Sequence, residues 1–237
     1  MESNPTTPSA PRVLQTLAIV ALAPSLGTIA ALILWPGAVG GTIYALCKIV
    51  LYGLPAVIAW RTIQRTEVLA AAKRGCSRNA LLFGFGSGLL VGILIIGCWW
   101  GGLRDTLDLT RLTEVVRSNG LNEKLPYLLA AIWLSLGNAF LEEFSFRWFV
   151  DTRLEMLGTG RVTTMLISGV IFTAHHVIVL GAYFNVLPTI FFSLGVFVGG
   201  VAWSWSRKHW QSLLPGWISH GLLDMAIFFV GWQMLFG

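Results

Sequence analysis

Three short polar groups interrupt the apolar C-terminal half of this chain. In chain order they are Glu142, Glu143 and Arg147; His175 and His176; and His220 and Asp224. Carboxylates and imidazoles transfer protons near neutral pH, so this set suits general acid–base chemistry on a water molecule. The same side chains are also frequent ligands of zinc. Because a charge at the centre of a bilayer costs roughly 2.5–3.5 kcal/mol on insertion scales, such residues indicate function and need partners.

The first polar group lies on a predicted helix, where spacing decides which side chains share a face. One face carries a polar stripe with intervals of 3, 4 and 3 residues, formed by Ser135, Asn138, Glu142 and Ser145. Arg147 follows Glu143 by four residues, so these two can pair along the helix and serve a structural role. Glu142 has no counter-charge on its own helix. The alternative is that both acids are interfacial charges that extend towards lipid headgroups.

The histidines come from two other apolar segments. His175 and His176 are adjacent, so they point to different faces of a helix and at most one of them is expected to meet Glu142. A lone histidine inside a bundle is often only a hydrogen-bonded packing residue. His220 and Asp224 are four residues apart and share a face, either as a pair of metal ligands or as polar contacts to a reacting group.

These residues must be positioned by membrane helices. Of 237 residues, 55% are hydrophobic and 11% are charged, whereas soluble domains contain about 25% charged residues. We therefore expect an all-α fold, a polytopic transmembrane helix bundle whose candidate active core comes from the last four spans. Segments of about 20 apolar residues predict spans at 13–35, 42–60, 79–100, 126–149, 162–184, 186–206 and 213–236. The second is the weakest prediction, because it contains Lys48.

The chain divides into two parts by what its spans carry. Residues 1–125 would form N-terminal spans and an interfacial loop, and residues 126–237 the core that carries the polar groups. Within the loop, a short amphipathic helix at the interface is predicted from Leu107, Leu109, Leu112, Val115 and Val116. Glycines inside the third span indicate close helix packing, at Gly84, Gly86, Gly88 and Gly92.

Basic residues in the loops predict the orientation. Ten Lys and Arg residues fall on the side of the N-terminus and four on the other side. The more basic side should be cytoplasmic, which places the N-terminus inside and the C-terminus outside, in a bacterial inner membrane. The net charge of +5 is therefore attributed to orientation and contacts with membrane lipids, and no nucleic-acid partner is expected.

Depth along each helix gives a check on whether the groups can meet. With a rise of 1.5 Å per residue, Glu142 lies about 10 Å and His220 about 10–12 Å from the cytoplasmic end of its predicted helix, but His176 lies about 20 Å from its own. Two of the three groups agree with one site, and the third does not.

The ordered pattern resembles that of a known family. Glu142-Glu143-x-x-x-Arg147, then Phe172-x-x-x-His176, then His220-x-x-x-Asp224 is similar to the motifs of the CPBP family, the CAAX-protease and bacteriocin-processing intramembrane proteases, which includes the Ras-converting CAAX endopeptidase. Each fragment alone is weak, but the three together in this order are specific. The resemblance extends from about residue 126 to the C-terminus.

The resemblance implies an intramembrane endopeptidase that cleaves near the C-terminus of prenylated proteins, processes bacterial peptides or serves in bacteriocin immunity. It selects His176 over His175, and it accepts Asp224 where many members have Asn. It further implies that Glu142 and His176 activate water, while His220 and residue 224 stabilise the oxyanion. Its partner would be a protein or peptide with a membrane-associated C-terminal segment.

The side chains suit these steps of peptide hydrolysis, which needs a base for water and a group that holds the oxyanion. Glu142 would be the base, His176 would orient the water and His220 would donate to the oxyanion. Asp224 would fix the tautomer of His220, and Arg147 would hold Glu143.

Two alternatives to this interpretation remain at the level of sequence. In a metal version, Glu142, His176 and His220 would bind a divalent ion such as Zn²⁺ and leave one position open for water, although the His-Glu-x-x-His signature of many zinc proteases is missing. In a non-enzymatic version, the polar groups belong to an immunity or scaffold protein or to a small transporter. A transporter usually shows internal repeats, and the sequence has none.

Overall fold

A computed structural model describes residues 8–237 of the chain, and it is helical throughout, as predicted. In that part of the chain, seven helices are long and apolar enough to cross a membrane, so the predicted polytopic bundle is confirmed. The helices are α1 (Ala10–Leu34), α2 (Ala38–Thr62), α3 (Arg65–Gly75), α4 (Arg78–Thr106), α5 (Thr110–Ser118), α6 (Lys124–Met156), α7 (Arg161–Tyr183), α8 (Val186–Trp210) and α9 (Leu214–Phe236).

Two short helices lie between the spans. Helix α5 confirms a helix in the predicted interfacial segment, although Leu107 and Leu109 precede its first turn. Helix α3 was not predicted, because its basic residues were assigned to a loop. It begins with a capping box, in which Gln64 and Glu67 bond reciprocally to each other's backbone N–H, and this satisfies donors that a helix start leaves free.

Helix α6 is longer than predicted and occupies the centre of the bundle. It ends at Met156 rather than at residue 149, and it contacts α1, α2, α7, α8 and α9. The apolar core is built around its second half, with Phe146, Phe149 and Val150 packed against Phe172 of α7 and Trp203 of α8. A central helix that meets five others can direct different side chains to different neighbours.

The added length of α6 brings Glu142 to about the same depth as His176. Glu142 now lies fourteen residues from Met156 and His176 fifteen residues from Arg161, which is about 21 Å and about 22 Å at 1.5 Å per residue. The predicted value of about 10 Å for Glu142 was wrong because the charged residues after position 149 continue the helix beyond the apolar run.

Two wide, π-helical stretches flank Glu142 in α6, at Trp133–Asn138 and Glu143–Val150. Wide turns of this kind are rare and occur often at functional sites, because the extra residue redirects the side chains that follow. The two consecutive acidic residues, Glu142 and Glu143, both face His220 of α9, and Glu142 also faces Lys48 of α2.

Helices α4 and α9 pack closely because glycines line their contact. A Cβ placed on Gly84, Gly88 or Gly92 would lie 2.8–3.2 Å from atoms of α9, whereas one on Gly86 would meet nothing within 4 Å. The packing predicted for three of the four glycines is therefore confirmed, and for Gly86 it was wrong. The three share one face at intervals of four residues, and small residues there let two membrane helices approach.

This contact yields a test of the fold. A Cβ at Gly88 would lie 2.8 Å from Leu222 Cβ, so Gly88→Val should destabilise the purified protein by about 1–3 kcal/mol through overpacking. Thermal unfolding in detergent measures this change. Gly86→Val on the same helix is the matched control and should leave the unfolding temperature unchanged; equal effects of both substitutions would contradict the proposed contact.

Candidate active site

Glu142 and His220 meet in the interior of the bundle. Glu142 Oε2 lies 3.8 Å from His220 Nε2, and both side chains are buried. The rings of His176 of α7 and of His220 both lie against the Phe172 ring, with centroids 4.7 Å and 5.9 Å from its centroid. The structure therefore brings together the carboxylate of α6 and the imidazoles of α7 and α9, as the sequence predicted.

Each histidine is held in one orientation. His176 Nδ1 lies 2.9 Å from the Phe172 carbonyl oxygen, and since a carbonyl only accepts, Nδ1 carries the proton and Nε2 is left to accept. His220 Nδ1 lies 3.1 Å from Glu143 Oε1. Its ring also stacks on Trp203, with centroids 4.0 Å apart and planes 12° apart. His175 instead stacks on Phe146 in the core.

The sequence predicts that Asp224 fixes the tautomer of His220, but the carboxylate within hydrogen-bond distance of this ring is that of Glu143. Asp224 Oδ2 lies 3.7 Å from His220 Nε2, which is outside hydrogen-bond distance. Glu143 therefore contacts both Arg147, four residues further along its own helix, and His220 of α9. Asp224 and Glu142 thus flank the same nitrogen of His220, while Glu143 binds the other.

Arg147 pairs with Glu143, the residue that binds His220. Its guanidinium is fully buried, and Nε lies 3.6 Å from Glu143 Oε1, as predicted for this pair. A second nitrogen donates to Ser168 Oγ of α7 at 3.2 Å. The guanidinium also lies 4.6 Å from the centroid of the Phe172 ring.

Two residues outside the sequence motifs, Trp203 and Lys48, also contact the site and were not predicted to do so. Trp203 of α8 stacks on His220 and donates to Ser219 Oγ at 3.2 Å. Lys48 of α2 lies 3.5 Å from Glu142 Oε1. The signal for Lys48 was present, since a lysine within an apolar span needs an acidic partner, but it was used only to question the span.

Small residues allow α9 to approach the site. A Cβ on Gly221 would lie 2.7 Å from the Ser135 carbonyl oxygen of α6, and one on Gly216 would lie 3.0 Å from Glu143 Oε2. His220 lies between these two glycines in sequence. The helix that carries it can therefore lie against α6 closely enough for its ring to reach both glutamates.

The zinc alternative requires at least three side chains placed as ligands. Across residues 8–237, no group of three or more His, Cys, Asp or Glu side chains is arranged to hold a metal ion. Nδ1 of His176 is hydrogen-bonded to the Phe172 carbonyl oxygen, and Nδ1 of His220 to Glu143. Glu142 Oε1 accepts a hydrogen bond from Asn138 at 2.9 Å.

Comparison with known proteins agrees with the geometry. Residues 124–226 match the model of a family described as type II CAAX prenyl endopeptidase Rce1-like. This segment of the chain belongs to the Rce1-like family. No curated protein and no solved structure is detectably similar to the chain.

The family assignment identifies the chemistry in general terms. The Rce1-like segment contains every residue of the predicted motifs, from Glu142 to Asp224, so the resemblance stated from sequence is confirmed. The match indicates a CAAX-type intramembrane protease in general, and the seven apolar helices within residues 8–237 make the chain an integral membrane protein.

A substitution of Arg147 tests whether its buried ion pair stabilises the fold around the site. Arg147→Met would leave the buried carboxylate of Glu143 without its cation, and removal of one partner of a buried pair costs about 3–5 kcal/mol. Thermal or denaturant unfolding of purified protein measures the loss.

Arg161 at the exposed start of α7 provides the matched control for this substitution. Arg161→Met should change stability by no more than about 0.5 kcal/mol. A variant at Arg147 that is as stable as this control would show that the buried pair contributes nothing to folding.

Proposed function

We propose that this chain hydrolyses a peptide bond near the C-terminus of a membrane-associated or lipidated protein or peptide, using Glu142 as the base. The observation that supports this most directly is the 3.8 Å separation of Glu142 Oε2 and His220 Nε2 inside a protease-family segment. One water molecule beside the two atoms can hydrogen-bond to both at ordinary distances.

The proposed reaction begins with activation of this water. Glu142 Oε2 takes a proton from the water as its oxygen attacks the carbonyl carbon of the scissile bond. The unprotonated Nε2 of His176 accepts a hydrogen bond from the same water and orients it. These are the roles of a general base and of a group that fixes near-attack geometry.

In the next steps, His220 stabilises the oxyanion and Glu142 protonates the leaving amine. Glu142, Glu143 and Asp224 surround His220, an arrangement that favours an imidazolium with a proton on both nitrogens. Nε2–H then donates to the oxyanion. When the C–N bond breaks, Glu142 returns its proton to the amine nitrogen, so that one peptide and one water give a carboxylic acid and an amine.

The central test replaces the carboxylate of the proposed base with an amide of nearly the same shape. Glu142→Gln, and separately His176→Ala, should lower cleavage by about 10²–10⁴-fold, the usual contribution of a general base. The probe is a quenched fluorogenic peptide that ends in a farnesylated Cys, two aliphatic residues and Ser, assayed with purified enzyme in detergent.

The exposed Glu123 allows a matched control, since Glu123→Gln makes the same chemical change away from the site. Unfolding temperatures near that of the wild type show that the variants fold. Wild-type activity in Glu142→Gln would remove the proposed role and favour a non-catalytic immunity or scaffold function. Metal analysis and a chelator titration of the same preparation test the zinc version.

The proposal includes the two-part organisation and the orientation predicted from sequence. Residues 126–237 would form the protease core, and residues 1–125 its N-terminal spans. The N-terminus would lie in the cytoplasm of a bacterial cell and the C-terminus outside its inner membrane, because ten of the loop Lys and Arg residues lie on one side and four on the other.

Cysteine labelling tests this orientation. Cys76 lies exposed between α3 and α4, and Ser118 lies exposed at the end of α5. With the other cysteines replaced by Ala, a membrane-impermeant maleimide should label Ser118→Cys in intact bacterial spheroplasts. It should label Cys76 only after permeabilisation, and the reverse pattern would invert the predicted topology.

A further inference from the structure

Lys48 lies next to the proposed base although it is outside the family-matched segment. Its ammonium nitrogen lies 3.5 Å from Glu142 Oε1, and the exposed fractions of the two side chains are 21% and 6%. Lys48 belongs to α2 and Glu142 to α6, so the pair joins the N-terminal spans to the protease core. A lysine at this depth in a membrane helix is expensive and is normally retained for a specific partner.

A closed hydrogen-bond network fixes this contact. Lys48 Nζ donates to Tyr52 Oη at 2.9 Å, and Tyr52 Oη donates to Asn138 Oδ1 at 2.7 Å. Asn138 Nδ2 then donates to Glu142 Oε1 at 2.9 Å. The ammonium also lies over the aromatic rings of Tyr44 and Tyr52, 5.7 Å and 5.2 Å from their centroids, where the ring quadrupole attracts a cation.

The network separates the two oxygens of Glu142. Oε1 receives the amide of Asn138 and faces Lys48, whereas Oε2 faces His220 at 3.8 Å. The neighbouring acid Glu143 has its own cation, Arg147, at 3.6 Å. Each of these two glutamates therefore has one positively charged neighbour. For Glu143 it is Arg147 of the same helix, and for Glu142 it is Lys48 of α2.

We propose that Lys48 is a positioning residue of the protease: it holds Oε1 of Glu142, so that Oε2 is presented to the water and to His220. Tyr52 and Asn138 link the ammonium to the carboxylate. This inference rests on the proposed function and extends it to α2. Lys48 acts through Glu142 and does not bind the substrate.

The test separates turnover from binding with the farnesylated fluorogenic peptide described above. Lys48→Met should lower kcat by about tenfold to a hundredfold, the usual loss when a partner that orients an active group is removed, and should leave KM unchanged. Lys48→Arg retains the cation and should recover most of the lost kcat.

The chain offers a matched control for loss of a lysine–glutamate pair. Lys208 of α8 pairs with Glu155 near the end of α6, thirteen residues from Glu142, or about 20 Å along the helix. Lys208→Met should leave kcat and KM unchanged. If it lowers kcat as Lys48→Met does, or if Lys48→Met raises KM at constant kcat, the positioning role is overturned.

Tyr52→Phe keeps the ring and serves as the second variant if Lys48→Met does not accumulate. It removes the hydroxyl between Lys48 and Asn138 and should lower kcat at constant KM, so an unchanged kcat would overturn the proposal. Failure of the proposed function is distinct from these outcomes, because it would appear as wild-type turnover by Glu142→Gln.

Discussion

A fully buried arginine is the constraint on which the rest of this structure depends. A guanidinium stays charged in proteins, so the interior of the bundle must supply acids and acceptors for Arg147. It does so with Glu143 at 3.6 Å and Ser168 at 3.2 Å. Because Glu143 also binds His220 Nδ1 at 3.1 Å, the same ion pair that stabilises α6 within the bundle sets the position of the histidine on α9.

The two adjacent glutamates of α6 share His220 but face different cations. Glu143 faces Arg147 and His220, whereas Glu142 faces Lys48 on one side and His220 on the other. The wide turns on either side of Glu142 make this division compatible with one continuous helix. Burial of several charges is tolerated because each is paired, and a paired set in a water-poor interior has the fixed electrostatic order that hydrolysis requires.

Close approach of helices is what turns these pairs into one site. Glycines on α4 and α9 allow backbones to lie against one another, and Gly216 and Gly221 let α9 reach α6 on both sides of His220. Trp203 of α8 then closes over the imidazole by stacking. The small and aromatic residues of the apolar spans therefore set the position of His220.

The resemblance to a known family implied that Glu142, His176 and His220 form one site, whereas the sequence by itself determined the class of fold, the number of spans and the Glu143–Arg147 pair. These follow from local rules, because hydropathy sets span length and i,i+4 spacing sets pairs on one helix. Only the tertiary structure decided that Glu143 rather than Asp224 binds His220 Nδ1, that Trp203 stacks on that ring and that Lys48 faces Glu142. Such contacts depend on wide turns, helix ends and close packing between distant segments, and no period or spacing within one segment encodes them.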